Sequence, residues 1–393
     1  MGLLGYRRGI EGWGGWGRIS TVRKLWRVTT NWGSKNYKGD NANASSGVII
    51  LHSLSDTIRR HPIIAFFILA FACSWIVWAV PLVASVKNPT YLMLIGVIGA
   101  FGPAIGAIVI SGILNAKPTG IPPLKRWGIF AILFCVIFPF ALFWSLLKGN
   151  FADPLFLVLC AILAALSAFV ISSVLARRTG VRDLMGSLAT WRVQPVWYII
   201  ALMAWPLLII ASSLLDTLSN GQPVSLYVAG LLTIEPLSAV ILFCTIFLLG
   251  GPLQEEPGWR GFALPRLQFL YNPIIASIIL GFLWQLWHIP LYFTGFYPFD
   301  AMAIGMRFVT FLPGVIVYTW LYNRSGGNLL IAVLFHASID AFPQILPAQT
   351  GLASMLFDLL LLIWAVIVIV TDRMWKRRPA LPKKYSPGSG VQL

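Results

Sequence analysis

Two adjacent glutamates, Glu255 and Glu256, are followed by Arg260, then by Trp284 and His288, and later by His336 and Asp340. These residues sit in or beside long apolar runs, where ionisable side chains are functional candidates by default because burying them in a membrane is costly. A carboxylate and a histidine can together hold and deprotonate a water, and a second histidine with a polar neighbour can stabilise the oxyanion of a tetrahedral intermediate. That is the equipment of amide hydrolysis. In a helix Glu256 and Arg260 are i, i+4 neighbours that can pair and leave Glu255 free, and His336 and Asp340 share a face in the same way. Trp284 lies one turn before His288. Each motif alone reads as an interfacial ion pair, a packing histidine or a self-neutralising pair; their coincidence carries the argument. No G-x-S-x-G, no H-E-x-x-H and no cysteine near either histidine in sequence supports a serine, cysteine or thermolysin-like route.

The elements that must position these groups are membrane helices. Of 393 residues 58% are hydrophobic and 11% charged, with a mean hydropathy of +0.80, against about 25% charged in soluble domains. A water-soluble protein and a disordered chain are both excluded. The hydropathy pattern predicts about ten spans, near 63–86, 91–114, 127–147, 154–175, 197–215, 234–250, 273–293, 302–322, 328–346 and 352–370. Around them lie a basic extension (1–61), N-terminal spans (62–230), a candidate catalytic region (231–370) and a basic tail (371–393). The net charge of +16 is spread over tails and short loops, not gathered in a groove that could follow nucleic acid. On this map 26 Lys and Arg fall on one side and only Lys87 and Lys148 on the other, which predicts that both termini are cytoplasmic. The two in 251–272, a segment expected to be a cytoplasmic loop, are part of that count. Cys73, Cys135, Cys160 and Cys244 each lie in apolar runs and read as small buried hydrophobes.

The three motifs resemble the CPBP family, the CAAX protease and bacteriocin-processing intramembrane endopeptidases, also called the Abi or type II CAAX prenyl endopeptidase family. The family pattern of EExxxR, FxxxH and HxxxN or HxxxD stands here as Glu255-Glu256-x-x-x-Arg260, Trp284-x-x-x-His288 and His336-x-x-x-Asp340, within residues 237–346. The resemblance implies an all-α polytopic protein with an eight-helix-like protease core. It implies Glu255 as the general base acting on water with His288, His336 and Asp340 lining the oxyanion site, and Glu256 and Arg260 holding the site. Trp284 replaces the usual Phe, a change expected to alter only packing. Asp340 stands where eukaryotic prenyl proteases carry Asn; an ionised Asp cannot donate to an oxyanion, so it is either protonated or serves to orient His336. A metal-free mechanism is favoured, with zinc held by Glu255, His288 and His336 as the alternative.

The expected substrate is a membrane-associated protein or peptide, CAAX-like or bacteriocin-like, met in a bacterial plasma membrane at a site opening to the cytoplasmic leaflet. Competing readings are a non-enzymatic immunity factor or scaffold, and a transporter, for which no inverted repeat is evident. Glu235 and Arg307 read as long side chains near the outer face that can snorkel. Asp358 has no motif around it. Residues 1–61, with ten basic and three acidic side chains, suit either an anionic lipid surface or an extension without a role.

Overall fold

Proline and short polar residues punctuate the apolar runs, and the helices begin where they stand. The computed structural model describes residues 54–146, 153–347, 349 and 351–376, so most of the expected leader and tail lie outside the described residues. Among the described residues the chain is helical, with one isolated extended bridge between Pro118 and Arg178. The helices are α1 (Pro62–Val83), α2 (Pro89–Gly99), α3 (Gly102–Leu114), α4 (Pro123–Leu146), α5 (Pro154–Ser172), α6 (Thr179–Met185), α7 (Pro195–Ser219) and α8 (Val224–Leu232). They continue as α9 (Pro236–Leu249), α10 (Pro252–Gly258), a π turn (Trp259–Ala263), α11 (Leu264–Leu270), α12 (Pro273–Phe293), α13 (Ala301–Arg324), α14 (Leu329–Ile345) and α15 (Leu352–Thr371).

Nine helical segments among the described residues are long and apolar enough to cross a membrane. The chain is an integral multi-pass membrane protein. The tenth expected span, α14, has 17 residues, about 26 Å at 1.5 Å per residue, which is shorter than a hydrocarbon core of about 30 Å. Its length is tolerable because it is sheathed by protein: Leu329, Ile331, Val333, Phe335 and His336 are all buried.

Helix ends inside a membrane leave backbone N–H groups that water cannot satisfy. Proline in the first turn lacks that donor, and side-chain caps take up others. Asn88, Asp153, Asn272 and Asp300 each accept a backbone N–H at 2.9 Å, and Asn328 accepts one at 3.0 Å. Glu235 belongs to this set. Its carboxylate caps α9 by accepting from the Ser238 and Leu237 N–H groups, and the Ser238 N–H in particular holds it below the usual carboxylate range.

The segment expected to be the cytoplasmic loop 251–272 is instead helix for most of its length, and residues 251–267 are buried. The ladder breaks at Gly250 and Gly251, the latter at φ 133°, a conformation that only glycine adopts freely. Gln254 repairs the break: its Oε1 accepts the Gly251 N–H at 3.0 Å and its Nε2 donates to the Leu248 carbonyl at 3.3 Å. Arg260 and Arg266 are 0% and 4% exposed, so they are interior groups and leave the loop-charge count, which stays strongly one-sided without them.

The second close approach fixes where this broken helix lies. A Cβ on Gly258 would stand 2.5 Å from Pro103 Cβ and 2.7 Å from Pro103 backbone. Gly258 therefore lets α10 seat directly on the start of α3. Behind α3, Arg178 donates to the Gly112 carbonyl at 3.1 Å, and the Gly180 N–H donates to the Asn115 carbonyl at 3.0 Å. Gly258→Val should overpack this contact by about 1–3 kcal/mol, lowering the thermal midpoint in detergent by several degrees. Gly128→Val, where a Cβ meets nothing within 4 Å, should leave it unchanged.

Candidate active site

Successive residues of a helix point about 100° apart, and α10 uses this to send its two glutamates to different partners. Glu256, 0% exposed, turns into the protein. Its Oε1 receives Arg260 Nη1 at 2.9 Å and faces His336 Nδ1 at 2.6 Å. The Arg260 guanidinium is clamped between rings, its Cζ 3.6 Å from the Tyr318 centroid and 4.2 Å from that of Trp284. Those faces take the place of acceptors for the remaining N–H groups. The ion pair predicted from i, i+4 spacing is thus present, but in the interior; the interfacial reading fails on burial.

Glu255 turns towards a cavity of about 590 Å³ whose lining also includes Trp284, His288, His336 and Asp340. Two indoles hold one of its oxygens: Trp259 Nε1 donates to Oε2 at 3.0 Å and Trp284 Nε1 at 2.7 Å. The other oxygen is directed at the helix break, since a Cβ on Gly251 would meet Glu255 Oε1 at 3.3 Å and Asp340 Oδ2 at 3.5 Å. The Phe-to-Trp difference at position 284 therefore changes more than packing. It adds a donor to the candidate base.

His336 faces carboxylates through both nitrogens, with Nε2 3.3 Å from Asp340 Oδ2. Asp340 sits where it can orient this ring, the second of its two expected roles. His288 donates from Nδ1 to the Trp284 carbonyl at 2.8 Å, so in the neutral ring Nε2 is left as an acceptor. The Trp284 ring separates the two histidines, 6.2 Å from the His288 ring and 5.3 Å from that of His336. Among the described residues no three His, Cys, Asp or Glu side chains converge to hold a metal ion. In the zinc set named from the sequence, Glu255, His288 and His336, indoles donate to one Glu255 oxygen and carboxylates face both His336 nitrogens.

Every sequence-predicted site residue lines this cavity or lies directly behind it. Reading by motif missed Trp259, Tyr318, Tyr297 and Arg307. Trp259 was within reach of the same rule that found Arg260, being four residues after Glu255. The cavity lies towards the helix ends that meet the 294–300 and 346–351 connections, with Met93, Phe296, Tyr297, Arg307, Gln344 and Asp358 on its walls. The basic 115–122 and 176–194 connections are at the opposite ends. Cytoplasmic basic loops and a site opening to the cytoplasmic leaflet, both expected from the sequence, therefore do not go together.

Residues 237–342 match the family model described as type II CAAX prenyl endopeptidase Rce1-like. These residues are thus similar to the CAAX-protease (CPBP) family domain, the family whose motifs they resemble. A curated relative, CAAX prenyl protease 2 of Methanococcus maripaludis, is 28% identical over 182 residues. The aligned stretch covers 45% of this chain and 66% of the archaeal protein, just under two thirds of its length. The matched stretch begins one residue after the start of α9 and ends within α14, so it contains all three motifs and the helix break between Leu249 and Pro252.

Removing one partner of a buried ion pair strands the other charge, at about 3–5 kcal/mol. Glu256→Ala should therefore abolish folded protein or cut its yield severely. Asp300→Ala, which removes only an exposed helix cap, should cost about 1 kcal/mol. Size-exclusion profiles and thermal midpoints of both variants in one detergent test the contrast.

Proposed function

We propose that this protein is an intramembrane endopeptidase that hydrolyses a peptide bond of a membrane-associated substrate, with Glu255 as the base. The observation that carries the reading is Glu255 itself: a carboxylate on a cavity wall, one oxygen anchored by two indole N–H groups and the other directed at the break in the helix. Such an arrangement suits proton transfer, because holding one oxygen fixes the orientation of the other, the atom that takes the proton.

In this scheme water donates a hydrogen bond to Glu255 Oε1 and a second to His288 Nε2. Glu255 takes the water proton as the oxygen adds to the carbonyl carbon. His336, oriented by Glu256 and Asp340, donates from Nε2 to the developing oxyanion. The carbon–nitrogen bond then breaks and the proton passes from Glu255 to the departing amine. Glu256 and Arg260 position His336 and Trp284 and touch no reacting atom. The family match and the relative named as a CAAX prenyl protease support a peptidase of this class, and a lipidated or membrane-inserted peptide terminus is the substrate class proposed.

With purified protein in detergent and quenched prenyl-peptide and membrane-peptide libraries, Glu255→Gln should lower cleavage by at least about a hundredfold with the fold retained. Trp284→Phe, losing one charged hydrogen bond, should lower kcat by about tenfold with KM unchanged. Chelator should leave the wild type unaffected; loss with chelator and rescue by zinc would replace this scheme with a metal-dependent one. Full activity of Glu255→Gln would defeat the assignment of the base.

The proposed orientation in a bacterial plasma membrane follows the loop charges: both termini cytoplasmic, and the cavity on the opposite side of the bilayer. In a variant lacking the four native cysteines, Pro298→Cys should react with an impermeant maleimide in intact cells. Lys117→Cys should react only after permeabilisation. The reverse pattern would invert the orientation.

A further inference from the structure

Asp358 is the third carboxylate on the cavity wall, with Glu255 and Asp340, and the scheme above gives it no task. It lies six residues into α15, about 9 Å from the start of that helix. With 20 residues α15 is about 30 Å long, the thickness of a hydrocarbon core, so Asp358 stands inside the apolar layer. Among the described residues no lysine, arginine or histidine comes within 4.0 Å of its carboxylate, and nothing donates a hydrogen bond to it. Arg307, the guanidinium on the wall, is engaged elsewhere. Its Nη1 donates to the Tyr292 hydroxyl at 3.4 Å, and its Cζ is 5.3 Å from the centroid of the Tyr297 ring.

A carboxylate at this depth is costly unless a cation or water meets it. A lysine or arginine can snorkel to the interface along its stem; aspartate, with a single methylene, cannot. A calcium-like cation takes about six or more oxygen ligands, and among the described residues no three His, Cys, Asp or Glu side chains converge to supply them. What this part of the wall offers is one carboxylate with Phe357 and Leu361 on the same stretch of helix. That is complementary to a basic side chain, whose methylene stem packs on rings and aliphatic carbons while its head reaches the charge. The field points the same way. Three carboxylates against Arg307 leave the cavity anionic even with His336 protonated, in a chain whose net charge is +16. A cleft of one sign concentrates ligands of the other.

We propose that Asp358 binds a lysine or arginine side chain of the peptide in the cavity, so that the site prefers substrates carrying a basic residue at one fixed position. That the bound peptide is then cleaved rests on the endopeptidase reading above; recognition of the cation does not.

The test uses an apolar decapeptide with a fluorophore on its amino end. A single lysine is moved along it position by position, each peptide paired with its norleucine counterpart, which keeps the stem and lacks the charge. Binding is measured by anisotropy with purified Glu255→Gln protein in detergent, so that neither turnover nor a lipid headgroup intervenes. At one position lysine should bind about tenfold more tightly than norleucine. Adding the near-isosteric Asp358→Asn should bring that pair within about twofold while the size-exclusion profile is unchanged, and Asp358→Lys should make glutamate the preferred residue there. With Glu255 intact, the lysine preference should appear in KM and not in kcat. No position that prefers lysine, or a preference that survives Asp358→Asn, overturns the proposal. A preference lost in Asp358→Asn, without cleavage of any peptide when Glu255 is intact, supports it while counting against the peptidase reading.

Discussion

Two carboxylates side by side in an apolar bundle repel each other and lose their hydration, so the structure is tenable only if each is met by its own donors. Glu256 is met by Arg260 and His336, and Arg260 in turn by the faces of Tyr318 and Trp284. That one charged knot draws on α10, the π turn, α12, α13 and α14. Each of these elements is held where the knot requires, and the cavity is what remains between them. His336 can point at Asp340 because Glu256 fixes its other nitrogen. Trp284 can reach Glu255 because its ring already lies on the guanidinium.

The break at Gly250 and Gly251 is the second requirement. At φ 133° any other residue at position 251 would be strained, and its Cβ would stand 3.3 Å from Glu255 Oε1 and 3.5 Å from Asp340 Oδ2. Irregular backbone at this depth is tolerated because Gln254 satisfies the freed groups at both edges of the break. Gly258 then brings the helix onto Pro103. The glycines on either side of the glutamate pair thus have different tasks: one opens room at the site, the other seats the element that carries it.

Helical spacing made the local pairs legible. Glu256 with Arg260, His336 with Asp340, and Trp284 one turn from His288 all follow from i, i+4 geometry, and apolar run lengths located the spans to within a few residues. Three features were not legible. The link between Glu256 and His336 joins residues 80 apart in sequence and depends on how α10 meets α14. The depth of residues 251–267 was hidden because a stretch rich in glycine, proline and charge reads as a loop, and its polar groups are satisfied by partners that no local window contains. Arg307 looked like a lone interfacial charge, since only the packing of α13 against the cavity gives it neighbours.

Position 284 shows how a departure from a family pattern can be read too lightly from sequence. A phenylalanine there would still cover the Arg260 guanidinium, and on that ground Phe and Trp are interchangeable. The indole adds an N–H, and the structure spends it on Glu255 Oε2, the oxygen that Trp259 already holds. Two donors on the same atom leave the carboxylate with inequivalent oxygens: one fixed as an acceptor of indole N–H groups, one directed at the helix break and Asp340. A base that must take a proton from a water in a single orientation gains from that inequivalence, because rotation of the carboxyl group would break both indole contacts at once. The residue that looks like a packing variant is therefore one that reinforces the hold of Trp259 on Oε2 and, in the proposed mechanism, leaves Oε1 as the atom facing the water.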